Sequence, residues 1–270
     1  MRDHADTLKR ALAGAFACLA APSAALAHDV WVVARQQDGG TVALIRYADP
    51  AKLELAERGK VVSLEVISPG GKINLKRPLA PAKSGPALES KPFTAPQASI
   101  LSVVYDNGFW TESAEDGVET NTSKLLTPNH KQSWWAPKFG KTLLGPGSYA
   151  VRTHSMLELV PLSDPYATPV GKTLAVRLEG DGKPVAGVKV VYGDGVEAIP
   201  EAAMPSVTTD KDGVAQIPVT RRGAYLLAVH RVGPPSQPAL ADADDVYVTL
   251  AFDTSKEIPP PGGERAVRAP

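Results

Sequence analysis

The sequence predicts an all-β protein of two β-sandwich domains behind a cleaved signal peptide. Three observations predict it. Glycine and proline, 23 and 25 of 270 residues, favour short strands and turns over long helices. From residue 28 onward, β-branched and aromatic runs recur, each bounded by Gly, Pro, Asp or Asn. Residues 1–27 have the three-part pattern of a secretory leader: a basic start, a short apolar run and a small-x-small cleavage site.

In the leader, Arg2, Lys9 and Arg10 carry the positive charge, 11–21 is the apolar run, and Ala25-Leu26-Ala27 is the cleavage site. The apolar run falls short of the roughly 20 residues that a membrane span needs. The lone cysteine, Cys18, lies inside the leader, so the processed chain is expected to have neither a disulfide nor a thiolate metal site. Strands are then expected at 30–33 and 41–47, across a Gly39-Gly40 turn. A hairpin should follow at 61–67 and 72–75 around Pro69-Gly70-Gly71, then a strand at 99–105 closed by Asp106-Asn107-Gly108. The stretch 122–144 reads as a short helix or docked loop holding Trp134 and Trp135, and 149–160 reads as strand.

Pro161 to Pro165, with Ser163 and Asp164 between two prolines, reads as a linker. It divides an N-terminal sandwich, 28–162, from an Ig-like sandwich, 166–254. In the second domain strands are expected at 173–178, 188–192, 214–219, 224–232 and 247–252, separated by turns at 180–182 and 208–213. Val248, Leu250 and Phe252 should share one face of the last strand. Residues 255–270, with Pro259-Pro260-Pro261-Gly262-Gly263, read as a disordered tail.

Several functions are excluded. The formal net charge is zero, which leaves no basic footprint for nucleic acid. The sequence contains no nucleophile elbow, phosphate loop, dinucleotide fingerprint or His-Glu-x-x-His, and the expectation is a non-enzyme. Asp210-Lys211-Asp212-Gly213 reads as a turn rather than a calcium loop, and Asp242, Asp244 and Asp245 as a solvated loop.

The histidines carry the chemistry. Cleavage after Ala27 would make His28 the N-terminus, where the α-amine and ring Nδ1 can chelate one ion. Nitrogen ligands of this kind suit Cu(II) and Ni(II). In a strand, His154 and Met156 would share a face, a pair able to serve copper. His230 should point opposite to Tyr225, Leu227 and Val229, and His130 reads as a loop residue.

In order along the chain stand Ala27-His28-Asp29-Val30-Trp31, Leu157-Glu158-Leu159-Val160-Pro161 with Asp164-Pro165-Tyr166, and Asp181-Gly182-Lys183-Pro184-Val185-Ala186-Gly187-Val188. Thr209-Asp210 with Gly213, Gly223-Ala224-Tyr225, His230 and Thr249-Leu250-Ala251-Phe252 complete the series. Together they resemble the DUF4198 family of secreted bacterial proteins; the Gly-x-Pro-x-x-Gly unit also resembles carboxypeptidase-regulatory and transthyretin-like sandwiches. The resemblance implies a periplasmic or membrane-tethered accessory of nickel or cobalt uptake, acting with an envelope metal transporter, and with the leader the expectation for this chain is periplasmic or secreted. The resemblance also implies a transition-metal ion, nickel or cobalt and then copper, on His28 with His230 as partner. Asp29 or Glu158 would orient a ligand from outside the coordination sphere. The alternatives are a non-enzymatic interaction module and, further off, a copper oxidase with a terminal histidine.

Overall fold

The computed structural model describes residues 28–194 and 200–255. The expected leader, 1–27, and all of the expected tail after Ser255 lie outside the described residues. The chain forms β1 (Asp29–Gln37), β2 (Gly40–Asp49), β3 (Lys52–Glu54), β4 (Val61–Ser68), β5 (Gly71–Asn74), β6 (Ala80–Pro81), β7 (Leu88–Glu89), β8 (Ile100–Ser113) and β9 (Glu119–Thr120). It continues with β10 (His130–Leu143), β11 (Leu157–Pro161), β12 (Thr173–Gly180), β13 (Lys183–Pro184), β14 (Lys189–Gly193), β15 (Ser206–Thr208), β16 (Val214–Pro218), β17 (Ala224–Gly233) and β18 (Ala243–Asp253). The protein is all-β, as expected.

Three sheets result. One runs β1-β2-β7-β6 with β3 on β2; a second runs β11-β12-β13 with β16 on β12. Between them lies a nine-stranded sheet, β15-β14-β17-β18-β10-β8-β4-β5, with β9 on β8. One core fills the space between the β1–β2 sheet and the β4–β8 half, from Val30, Val32 and Ile45 to Leu64, Leu101 and Val103. The other lies between the β11–β12 sheet and the β17–β18 half, from Leu159, Leu174 and Val176 to Leu227, Val248, Leu250 and Phe252. Burying each such aliphatic side chain contributes about 1.5–3 kcal/mol. The face expected for Val248, Leu250 and Phe252 is the one observed.

The structure differs from the sequence reading in three places. Residues 130–143 form the long strand β10 rather than a helix or loop; the only helical turn there is the 3-10 turn Lys124–Leu126. In the 149–160 stretch the strand is confined to Leu157–Pro161, because His154 sits at φ +59° and breaks any extended run before it. Finally, sheet pairing crosses the expected 162/166 boundary. β11 pairs with β12, and β10 pairs in parallel with β18, so the nine-stranded sheet draws strands from both sides.

β1 lies across the β10–β18 seam. Thr249 Oγ1 donates to the Val30 carbonyl at 2.8 Å, and Thr142 Oγ1 donates to the Val32 carbonyl. This approach needs glycine at 140. A Cβ there would come within 2.7 Å of Val103 Cγ1 and 3.2 Å of the Val30 carbonyl. Gly140→Ala is expected to cost about 1–3 kcal/mol in urea unfolding, as overpacking lifts β1 from the seam.

Candidate functional site

The start of β1 places His28 and Asp29 above one row of the central sheet. Register aligns Tyr105, Lys138, Tyr247 and His230 across β8, β10, β18 and β17. Residues in register share a face, so these four side chains stand side by side.

His28 stands over one end. Its ring meets Tyr47 edge-on at 5.3 Å, with Nδ1 3.4 Å from the Tyr47 hydroxyl and Nε2 3.9 Å from the Glu54 carboxylate. Tyr47 in turn packs on Tyr105 at 5.2 Å. Burial, helped by Glu54 and Glu57, pushes the Tyr47 phenol up to about 12, so it is protonated at neutral pH. About a third of the His28 side chain remains exposed (32%).

Asp29 points the other way, into the protein, and is 2% exposed. Burial first, then Glu201, holds its carboxyl well above the usual range, and it shares a hydrogen bond with Glu201. Glu201 is also raised by burial; its backbone N–H donates to Asp49 at 3.1 Å, and its Oε2 is buried without a partner among the described residues. Lys138, 2% exposed, lies under these carboxyls with Nζ 3.5 Å from the centre of the Tyr247 ring. Burial pushes Lys138 down to about 8, against the opposing pull of Asp29, Asp245 and Glu201.

His230 occupies the far end, on the face the sequence predicts. It stacks on Tyr247 at 4.5 Å and bonds Asp245, which also accepts from the Tyr247 hydroxyl at 3.0 Å. Three strand spacings, roughly 14 Å, separate His230 from Tyr105. His28 and His230 each have a carboxylate partner of their own, Glu54 and Asp245.

The remaining candidates lie elsewhere. His154 is in a loop, so it does not alternate with Met156; its backbone N–H donates to Glu158 at 3.2 Å. Glu158 is committed to Lys141 at 2.6 Å and to the Thr153 N–H at 3.0 Å, and orients no imidazole. His130 is pinned by Asp242 (3.0 Å), which also takes Ser133 and Lys124, each at 2.7 Å. Those contacts pull the Asp242 carboxyl down to about 2. Asp210 accepts from the backbone of Asp212 and Val214, the turn the sequence suggests. Among the described residues, no three His, Cys, Asp or Glu side chains converge to hold a metal. None of the helices there is long and apolar enough to cross a membrane.

The profile of a domain of unknown function, DUF4198, matches residues 25–233. The chain belongs to the DUF4198 family. No curated protein matches it. The DUF4198 match takes in His28, Asp29, Lys138, Glu201 and His230, whereas Asp245 and Tyr247 on β18 lie beyond it. Sequence reasoning missed Lys138 and Glu201. Lys138 carries a faint signal, as a lysine between Pro137 and Phe139 in an otherwise apolar stretch. Glu201 carries none, because only the fold brings it to Asp29.

Proposed function

We propose that this DUF4198 chain is a periplasmic or secreted, non-enzymatic transition-metal-binding protein, an accessory of nickel or cobalt (or copper) uptake or handling. Its metal is held at His28 once the leader is removed. The observation that carries the reading is the setting of His28: a partly exposed imidazole immediately before a buried anchor, Asp29. In this arrangement the α-amine and Nδ1 chelate the ion. The Tyr47 hydroxyl, 3.4 Å from Nδ1, lies on the side the ion would occupy, and Glu54 faces Nε2 as an orienting carboxylate. Two nitrogens with a neighbouring oxygen suit Ni(II) or Cu(II). His230 has no part in it.

The test is calorimetric titration with Ni(II), Co(II) and Cu(II) chlorides. Chain beginning at His28 is compared with chain carrying one extra glycine before it. Losing an outer partner typically weakens a metal site about 10–100-fold, so losing the amine should weaken it by more than about 100-fold. His230→Ala should leave affinity unchanged. Equal affinity of the two N-termini sinks the reading.

A specific surface favours the second reading, an interaction module. Leu125 and Leu126, on the connection between β8 and β10, are 69% and 77% exposed. A chain that binds none of the three metals, and whose association with envelope proteins is lost on Leu125→Asn/Leu126→Asn, would favour that module.

A further inference from the structure

Away from the polar row, His130 is bonded through both ring nitrogens to groups that can only accept. Its Nδ1 lies 2.9 Å from the Thr127 carbonyl, and its Nε2 lies 3.0 Å from Asp242 Oδ2. A carbonyl has no proton to give. Neither has Asp242, whose carboxyl is pulled down to about 2, first by Lys124, then by Ser133 and His130. A neutral imidazole carries one N–H, and only the imidazolium carries two. Both bonds are therefore made at once only by the doubly protonated ring. With a single proton, one acceptor faces a lone pair. The proton stays on Nε2, because an ionised acceptor holds a donor more strongly than a neutral carbonyl. Thr127 is the acceptor that loses its donor.

That loss bears on one turn. The Thr127 N–H closes the 3-10 turn Lys124–Leu126 on the Lys124 carbonyl at 3.1 Å. The start of the turn is tied twice: the Lys124 N–H donates to the Leu240 carbonyl at 3.1 Å, and Lys124 Nζ meets Asp242 at 2.7 Å. Its far end is held by His130 and by the Thr111 hydroxyl, which lies 3.5 Å from that of Thr127. The turn carries Leu125 and Leu126, the two most exposed large apolar side chains among the described residues. The other charged groups on the adjoining strand and loop are already engaged. Glu112 holds Lys131 at 2.7 Å, Glu115 lies 3.5 Å from the Asn129 amide, and Asp116 accepts from the Val118 N–H at 3.1 Å.

We propose that His130 is an acid-set latch: its imidazolium pins the Lys124–Leu126 turn at Thr127, and loss of the Nδ1 proton frees that end of the turn. The latch is separate from His28 and stands whether or not that residue binds metal. Histidine is the side chain whose charge ordinarily changes between about pH 5 and 8, so the turn is held on the acid side and loosened on the alkaline side.

The test uses the isotopically labelled full chain at about pH 5 and about pH 8. NMR reads which ring nitrogens of His130 carry protons. Amide hydrogen exchange of Lys124, Leu126 and Thr127 is followed in parallel and corrected for the intrinsic effect of pH. Protons on both nitrogens are expected at the lower pH and on Nε2 alone at the higher. Protection of the Leu126 and Thr127 amides should fall about two- to tenfold between them, the worth of one hydrogen bond. Lys124, tied independently, should change less. His130→Gln cannot change charge and should give equal protection at both pH values. A ring whose Nδ1 is still protonated at the higher pH overturns the proposal. So does wild-type protection that ignores pH, or a pH dependence that survives in His130→Gln. If His130→Gln fails to fold, the proton positions and the exchange of the wild-type chain still decide.

Discussion

Lys141→Met is expected to destabilise the protein by about 3–5 kcal/mol in urea unfolding at pH 7, the cost of leaving a buried ion without its partner. Lys141 and Glu158 are 4% and 7% exposed and meet at 2.6 Å between the central sheet and β11. Burial alone would raise the Glu158 carboxyl; the charge and hydrogen bond of Lys141 outweigh it, and the net shift is downward. The same carboxylate accepts from the backbone of Thr153 and His154, fixing the loop in which His154 takes its positive φ. Methionine matches the length of lysine, so the loss is one of charge rather than volume. Lys141→Met/Glu158→Gln keeps an acceptor for the loop and removes the stranded anion, and should recover at least half of the deficit. The sign with pH also follows. A depressed carboxylate stabilises above its ordinary 4.5 and loses that contribution as pH falls through its folded value. The gap between wild type and Lys141→Met should therefore narrow under acid.

These buried lysines explain why β10 was illegible in the sequence while β1, β2, β4, β17 and β18 were not. Those strands alternate, or run apolar, between clear turn pairs such as Gly39-Gly40 and Pro69-Gly70-Gly71. In β10, Pro137, Lys138 and Lys141 interrupt any apolar pattern. The interruptions are tolerated because Glu158 meets one lysine, and the Tyr247 ring with the Asp29–Glu201 carboxyls meets the other. None of those partners is local. The parallel pairing of Phe139 with Val248 is equally invisible to a reading of neighbours, since more than a hundred residues separate them. The same limit applies to the site. Alternation correctly put His230 on the face opposite Leu227, but only the register shows Tyr247, Lys138 and Tyr105 standing between His230 and the His28 end.

Asp29→Ala is expected to cost about 2–3 kcal/mol, and Asp29→Asn far less, because a proton rather than a charge is what this position supplies. With its carboxyl held above the usual range, Asp29 donates to Glu201. The pair thus keeps one negative charge facing Lys138. Alanine removes the donor and leaves Glu201, whose Oε2 already lacks a described partner, with another unmet lone pair. Asparagine restores an N–H donor to the same carboxylate. The pH dependence separates this account from simple loss of packing. A carboxyl raised above its ordinary 3.8 contributes stability that is full below that value and is lost as pH rises through the folded one, so wild type should lose more stability on that rise than Asp29→Asn, which keeps only the raised Glu201. Lys138 acts with the opposite sign. Its ammonium is disfavoured on folding, so between about 8 and 10.5 the unfolded chain holds the extra proton and stability climbs with pH in both proteins. Urea midpoints measured from pH 4 to 10 should therefore dip and recover in wild type, and dip less in Asp29→Asn, where Glu201 is the one raised carboxyl left of the pair. Parallel curves for the two would mean that Asp29 sits ionised beneath β1, and the shared-proton anchor under His28 would have to be abandoned.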